Sequence, residues 1–102
     1  MRFAVLMGHG PGWDPASPLR SQQKWDEHAA FMDALVEDGF VVLGGPLGVD
    51  PVTSALLIVE ATSEDEIRDR LGADPWIPMR LLTIDLVSPW TILLGDPASL
   101  AR

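Results

Sequence analysis

Cysteine is absent from this 102-residue chain, cations are scarce, and histidine occurs only twice. Without cysteine there is no disulfide framework and no thiolate to ligate a metal, which fits a cytoplasmic setting. Seven Lys and Arg stand against fifteen Asp and Glu, for a formal net charge of -8. Such a surface repels a phosphate backbone, so nucleic acid is not an expected partner. No apolar run approaches the roughly 20 residues that cross a bilayer, so no membrane association is expected. The opening apolar run, Phe3 to Met7, is too short and unflanked for a signal peptide. His9 and His28 stand in neither HxxH nor HExxH spacing, so no metal site and no cofactor is expected. No Lys-Ser/Thr follows the glycines of GHGPG, which excludes a P-loop, and no GxSxG suggests acyl transfer. There is no internal repeat.

What is present is apolar and patterned. Hydrophobic residues make up 47% of the chain, enough for one domain with one core. We place that domain at residues 1–94, with 95–102 as a fraying tail. RFAVLMGH alternates Phe3, Val5, Met7 and His9 against Ala4, Leu6 and Gly8, which predicts a first strand. His9 falls at its end, facing a cleft. GHGPGWDPASP is a loop long enough to suggest function. Ser17-Pro18 predicts a helix start. From there to Asp38, Trp25, Ala29, Met32 and Val36, with His28, Phe31 and Leu35, keep a helical apolar spacing. Gly39 is the expected stop. FVVLGGPL and ALLIVEA (Ala55 to Ala61) are apolar on both faces and predict two further strands. Ser63 and Glu66 form a capping box opening a short second helix, ended by Gly72. Asp74-Pro75-Trp76 predicts a tight turn. RLLTIDLVSP predicts a fourth strand, with Leu82, Ile84 and Leu86 on one face and Leu81, Thr83, Asp85 and Val87 on the other. WTILL (Trp90 to Leu94) extends it or forms a fifth.

The order strand, helix, strand, strand, helix, strand is the split βαβ arrangement of α+β, ferredoxin-like folds, with a four-stranded antiparallel sheet. Two helices cover one face of such a sheet. The other face is also apolar, and leaving it wet would cost of order 10 kcal/mol at about 25 cal/mol per Å2. This predicts a homodimer packed sheet to sheet about a two-fold axis.

Taken singly, the candidate site residues read modestly. His28 is a polar residue on an apolar helix face, either a core histidine bonded to a backbone carbonyl or a general base. Asp74 reads as a cap before Pro75. Trp13 in the loop reads first as a plug and second as a ligand contact. Trp25 and Trp76 read first as core or interface residues, and Arg20 first as a solvated cation, second as a hold for an anionic group. Gly44-Gly45 permits close approach of a backbone or a ligand.

WDEHAAFMDALVEDGFVVLGGPL, followed by ALLIVEA, the capping box, ADPW and PWTILL, resembles the YCII-related (YciI-like) family over Arg2 to about Leu94. The resemblance implies a dimeric α/β barrel of ferredoxin-like subunits. It also implies a His–Asp pair in a cleft, here His28 and Asp74, with His9, Trp13, Arg20, Trp25, Gly45, Pro46 and Trp76 as its lining. A carboxylate fixes the tautomer of its histidine and favours the imidazolium formed on proton uptake. The expected function is cofactor-independent acid–base chemistry, of lyase or isomerase type, on a small metabolite. The alternative is a non-catalytic module that binds or senses a small molecule. Haem chemistry is weaker, since only His9 or His28 offers iron a ligand.

Overall fold

The computed structural model describes residues 1–49 and 52–95. Its elements are β1 (Arg2–His9), α1 (Trp25–Glu37), β2 (Val41–Leu47), β3 (Ser54–Glu60), α2 (Glu64–Gly72) and β4 (Leu82–Pro89). The strands form one antiparallel sheet in the order β2-β3-β1-β4. This is the ferredoxin-like α+β fold, and each crossover carries one helix. Cross-strand partners share a face. Phe3 opposite Val59, and Val5 opposite Leu57 and Val87, therefore point one way. With Leu35 of α1, Ile67 and Leu71 of α2, and Phe40, they make the core.

The other face is apolar too. Leu86, Leu6 and Leu56 form one row, and Ala4, Ile58 and Leu43 the next. In the single chain this face is thinly covered: Leu43, Leu47 and Leu86 are exposed, Leu86 to 50%. The expectation that β2 is covered on both faces therefore does not hold within one subunit. Beyond Val42, β2 is an edge strand open to solvent. Pro46 is tolerated inside it because an edge residue has one side with no ladder to serve.

Five further expectations are corrected. The helix does not run on from Ser17-Pro18. A 3-10 turn at Leu19–Ser21 comes first, and α1 starts only at Trp25, after Lys24 in a left-handed conformation (φ 59°). The cause is Gln22, which is buried. Its amide nitrogen donates to the carbonyls of Asp14 and Ser17, and its amide oxygen accepts from the Asp14 N–H. These bonds turn the segment away from a helical path. Ser17 caps nothing; its hydroxyl donates to Asp14. In β4, the register against β1 shifts between Leu6 and Met7, which leaves Asp85 as a bulge residue. The bulge inverts the alternation, so Leu82 and Ile84 meet the core together with Val87, while Leu86 faces out. WTILL is not a strand. Trp90 donates its N–H to Arg2 O, where β1 begins, and among the described residues no strand lies beyond for Thr91 to Leu94 to pair with. Gly72 is the last residue of α2 rather than its stop, and Ala73 is the C-cap. Val36, placed on the apolar side of α1, is half-exposed.

Gly39 ends α1 as expected, at φ 82°. Ser63 caps α2 by accepting from the Glu66 N–H at 3.1 Å. Glu66 reaches back one residue further than a standard capping box, to the N–H and hydroxyl of Thr62. Beyond Gly95, the expected tail lies outside the described residues, as do Asp50 and Pro51 of the GVDPVT turn.

Candidate functional site

The turn after α2 fixes a carboxylate. Asp74 donates its N–H to Leu71 O, and its own carbonyl accepts from the Ile77 N–H. Its Oδ1 accepts from the Trp76 N–H at 2.9 Å. The residue is 2% exposed, so its second oxygen also requires a donor. That donor is His28. Its Nδ1 lies 2.6 Å from Asp74 Oδ2. An ionised carboxylate only accepts, so in the pairing of an ionised Asp74 with His28 the donor is Nδ1–H. The free Nε2 faces away from that bond. His28 is one turn into α1, with its N–H on Lys24 O.

Trp76 is the hub of the surroundings. Its indole stacks on the His28 imidazole at 3.8 Å, with 4° between planes. The indole N–H donates to Gln23 O at 2.6 Å, just ahead of α1. Trp25, at the first position of α1, tilts against both His28 and Trp76, at 5.8 and 5.9 Å. Trp13 meets the edge of Trp76 at 5.6 Å. His9 stacks on Trp13 at 3.7 Å. The structure thus brings His9, Trp13, Trp25, His28, Asp74 and Trp76 into one cluster. Trp76 is 1% exposed, which leaves it no face for a ligand; it supports the ring that has one. The Arg20 guanidinium lies over Trp25 at 5.9 Å.

Gly45 and Pro46 lie apart from this cluster. They line an apolar groove along β2 with Leu43, Leu47, Leu56 and Ile58. Gly44 is needed for packing, because a Cβ there would collide with the Leu57 side chain.

The Gly10–Pro18 loop is held rigidly beside the cluster. Gly10 and Gly12 donate their N–H groups to Leu81 O and Arg80 O. A Cβ at either glycine would strike the backbone carbonyl of Arg80 or Met79. The repeated glycine in GHGPG was a legible signal of this approach. Gln22, which locks the same loop, gave none; among Ser21, Gln23 and Lys24 it looks like a surface helix residue. Burial holds His9 below the ordinary imidazole range, so it is the neutral partner of its stack at pH 7. The Ser17 hydroxyl and the Ala16 N–H hold Asp14 below the usual carboxylate range. Among the described residues, no group of three or more His, Asp or Glu is placed to hold a metal ion, and no helix is long and apolar enough to cross a membrane.

No family model matches the chain, and no curated protein does. Among solved structures, the chain is similar to 5-chloro-2-hydroxyhydroquinone dehydrochlorinase from Burkholderia phenoliruptrix in complex with 2,5-dihydroxybenzoquinone. The TM-score is 0.61 at 27% identity, over 89% of this chain and 94% of that one. The likeness supports the dimeric α/β barrel superfamily for the subunit fold. The neighbour eliminates hydrogen chloride from a small ring, a lyase-type reaction.

Proposed function

We propose that this chain is a cofactor-independent lyase-type catalyst acting on a small ring-containing metabolite, with His28 as general base and Asp74 as the group that orients it. One observation carries the reading: His28 Nδ1 lies 2.6 Å from Oδ2 of Asp74, a carboxylate itself held by the Trp76 N–H, an arrangement in which Nδ1–H donates and Nε2 is left to act as the base. The stack on Trp76 fixes the plane of that base. An elimination needs this arrangement. The Nε2 lone pair takes a proton from the substrate, the freed electron pair forms the new π bond, and the leaving group departs with the electrons of its own bond. The reaction is redox-neutral and asks nothing of a cofactor. Asp74 stabilises the imidazolium that forms, and the proton then passes to water. The likeness to a dehydrochlorinase supports elimination over isomerisation.

The same reading gives the molecule a second copy. The outer sheet face, with exposed Leu43, Leu47 and Leu86, is covered by the partner's equivalent face in a homodimer. The apolar groove of β2, lined by Gly45 and Pro46, belongs to that interface rather than to the site.

Chloride release from 5-chloro-2-hydroxyhydroquinone tests the activity directly. His28→Ala is expected to lower turnover at least about a hundredfold, as loss of a general base does. Asp74→Asn is expected to lower it too, with the fold retained by circular dichroism. Wild-type protein that binds the ring and leaves it unchanged would make this a binding module.

A further inference from the structure

We infer that the ligand of this site is an anion, a planar ring bearing an ionised oxygen, held by Arg20 and Lys24 above Trp25; this rests on the site proposed above and adds its charge. Among the described residues, the N-terminal amine and Arg2 pair with Glu60, Arg68 pairs with Glu64, and Arg70 pairs with Asp38. Three cationic side chains enter no ion pair with a described carboxylate: Arg20, Lys24 and Arg80. All three stand in the two segments that build the aromatic cluster. Arg20 lies over Trp25, Lys24 immediately precedes it, and Arg80 ends the turn that Trp76 opens. The segments are tied together by the bond from Trp76 to Gln23 O. Asp26 and Glu27 follow directly in α1, yet neither is within ion-pair distance of Arg20 or Lys24. Asp14, on the neighbouring loop, is engaged by Ser17 and Ala16.

The backbone gives a second, independent observation. Lys24 and Arg80 are the described non-glycine residues with positive φ, at 59° and 62°. That conformation is costly for a residue with a Cβ, and glycine or asparagine would adopt it more cheaply. Strained positions of this kind gather at ligand sites. A chain with fifteen acidic and seven basic residues thus keeps its unpaired described cations in the segments that carry Trp25 and Trp76. Trp25 is only partly buried, and the Arg20 guanidinium lies over its ring at 5.9 Å. A ring seated against Trp25 and Arg20 lies near His28, whose ring centroid is 5.8 Å from that of Trp25. Ring oxygens that conjugate with a carbonyl are vinylogous acids, so hydroxyquinones carry this charge at neutral pH.

Titration calorimetry on the full chain tests it, with 2,5-dihydroxybenzoquinone as the anion and 2,5-dimethoxybenzoquinone as the neutral ring of like shape. The anion is expected to bind at least about tenfold tighter, and to weaken as salt rises, because exposed charges are screened. Arg20→Gln and Lys24→Gln are each expected to weaken the anion by about fivefold, the upper worth of one exposed charge pair. They should leave the neutral ring unaffected, and Arg68→Gln should change neither. Binding of both rings alike, binding of neither, or an affinity indifferent to salt and to Arg20 overturns the inference. An anion that binds but is never turned over removes the catalytic reading and leaves this one standing. Turnover indifferent to Arg20→Gln and to salt does the reverse.

Discussion

Trp76 does more at the scale of a single residue than its position in a turn suggests. Its backbone holds one oxygen of Asp74, its ring backs the His28 imidazole, and its indole N–H anchors the chain just ahead of α1. Trp76→Phe keeps the first contact and part of the second and loses the third. It strands the Gln23 carbonyl, at a cost of about 1–3 kcal/mol, so the melting temperature should fall by several degrees. The His28 ring resonances in NMR should shift with it, while those of His9, one tryptophan further out, move less. A Trp76→Phe protein with unaltered stability and His28 resonances would show that the indole N–H anchors nothing. Of these contacts, the sequence disclosed the turn and the presence of an aromatic. It could not disclose the stack, which depends on two segments far apart in the sequence meeting face to face.

At the scale of elements, local signals were legible where local chemistry decides and illegible where a distant partner does. Ser63, Glu66 and Gly39 act within one turn of themselves, and their roles were readable. Ser63→Ala is expected to cost about 1 kcal/mol in chemical denaturation, the usual worth of a cap. Glu66 adds a pH signature. Its bonds to the Thr62 N–H and hydroxyl depress its folded pKa below the ordinary carboxylate value. The folded state therefore binds fewer protons than the unfolded state, and this contribution is complete above the unfolded pKa. It is lost as pH falls through the depressed one, and Glu66→Gln should flatten that acid limb. By contrast, Ser17-Pro18 is a sound start signal overruled by Gln22, whose three hydrogen bonds reach across the loop. The Asp85 bulge was equally hidden, because a bulge exists only relative to its partner strand, here β1.

For the whole molecule, the order of elements was sufficient to give the sheet, because connection rules leave few ways to arrange two split βαβ units. The apolar patterning also indicated a second buried face, and the isolated subunit leaves that face open at Leu43, Leu47 and Leu86. Light scattering should therefore return twice the 11.1 kDa chain mass. Leu86→Glu, which places a charge on that face, should shift the mass toward the monomer and lower the melting temperature. A monomeric wild-type protein at micromolar concentration would remove the dimer. The cluster around His28 lies on the helix-covered side of the sheet, so the subunit assembles its imidazole–carboxylate couple within one chain. Monomerisation should then depress activity through stability rather than through loss of a side chain.

The gathering of Trp13 and Trp25 around Trp76 has an optical consequence. The chain has no tyrosine and a single further tryptophan, Trp90 beyond β4. Its near-ultraviolet absorption and emission thus come chiefly from Trp76 and two indoles within 6 Å of it. Two of them, Trp13 and Trp76, meet edge to face at 89° between planes. The protein carries its own unlabelled reporter, and any molecule that settles on Trp25 announces itself in the colour and intensity of the light returned.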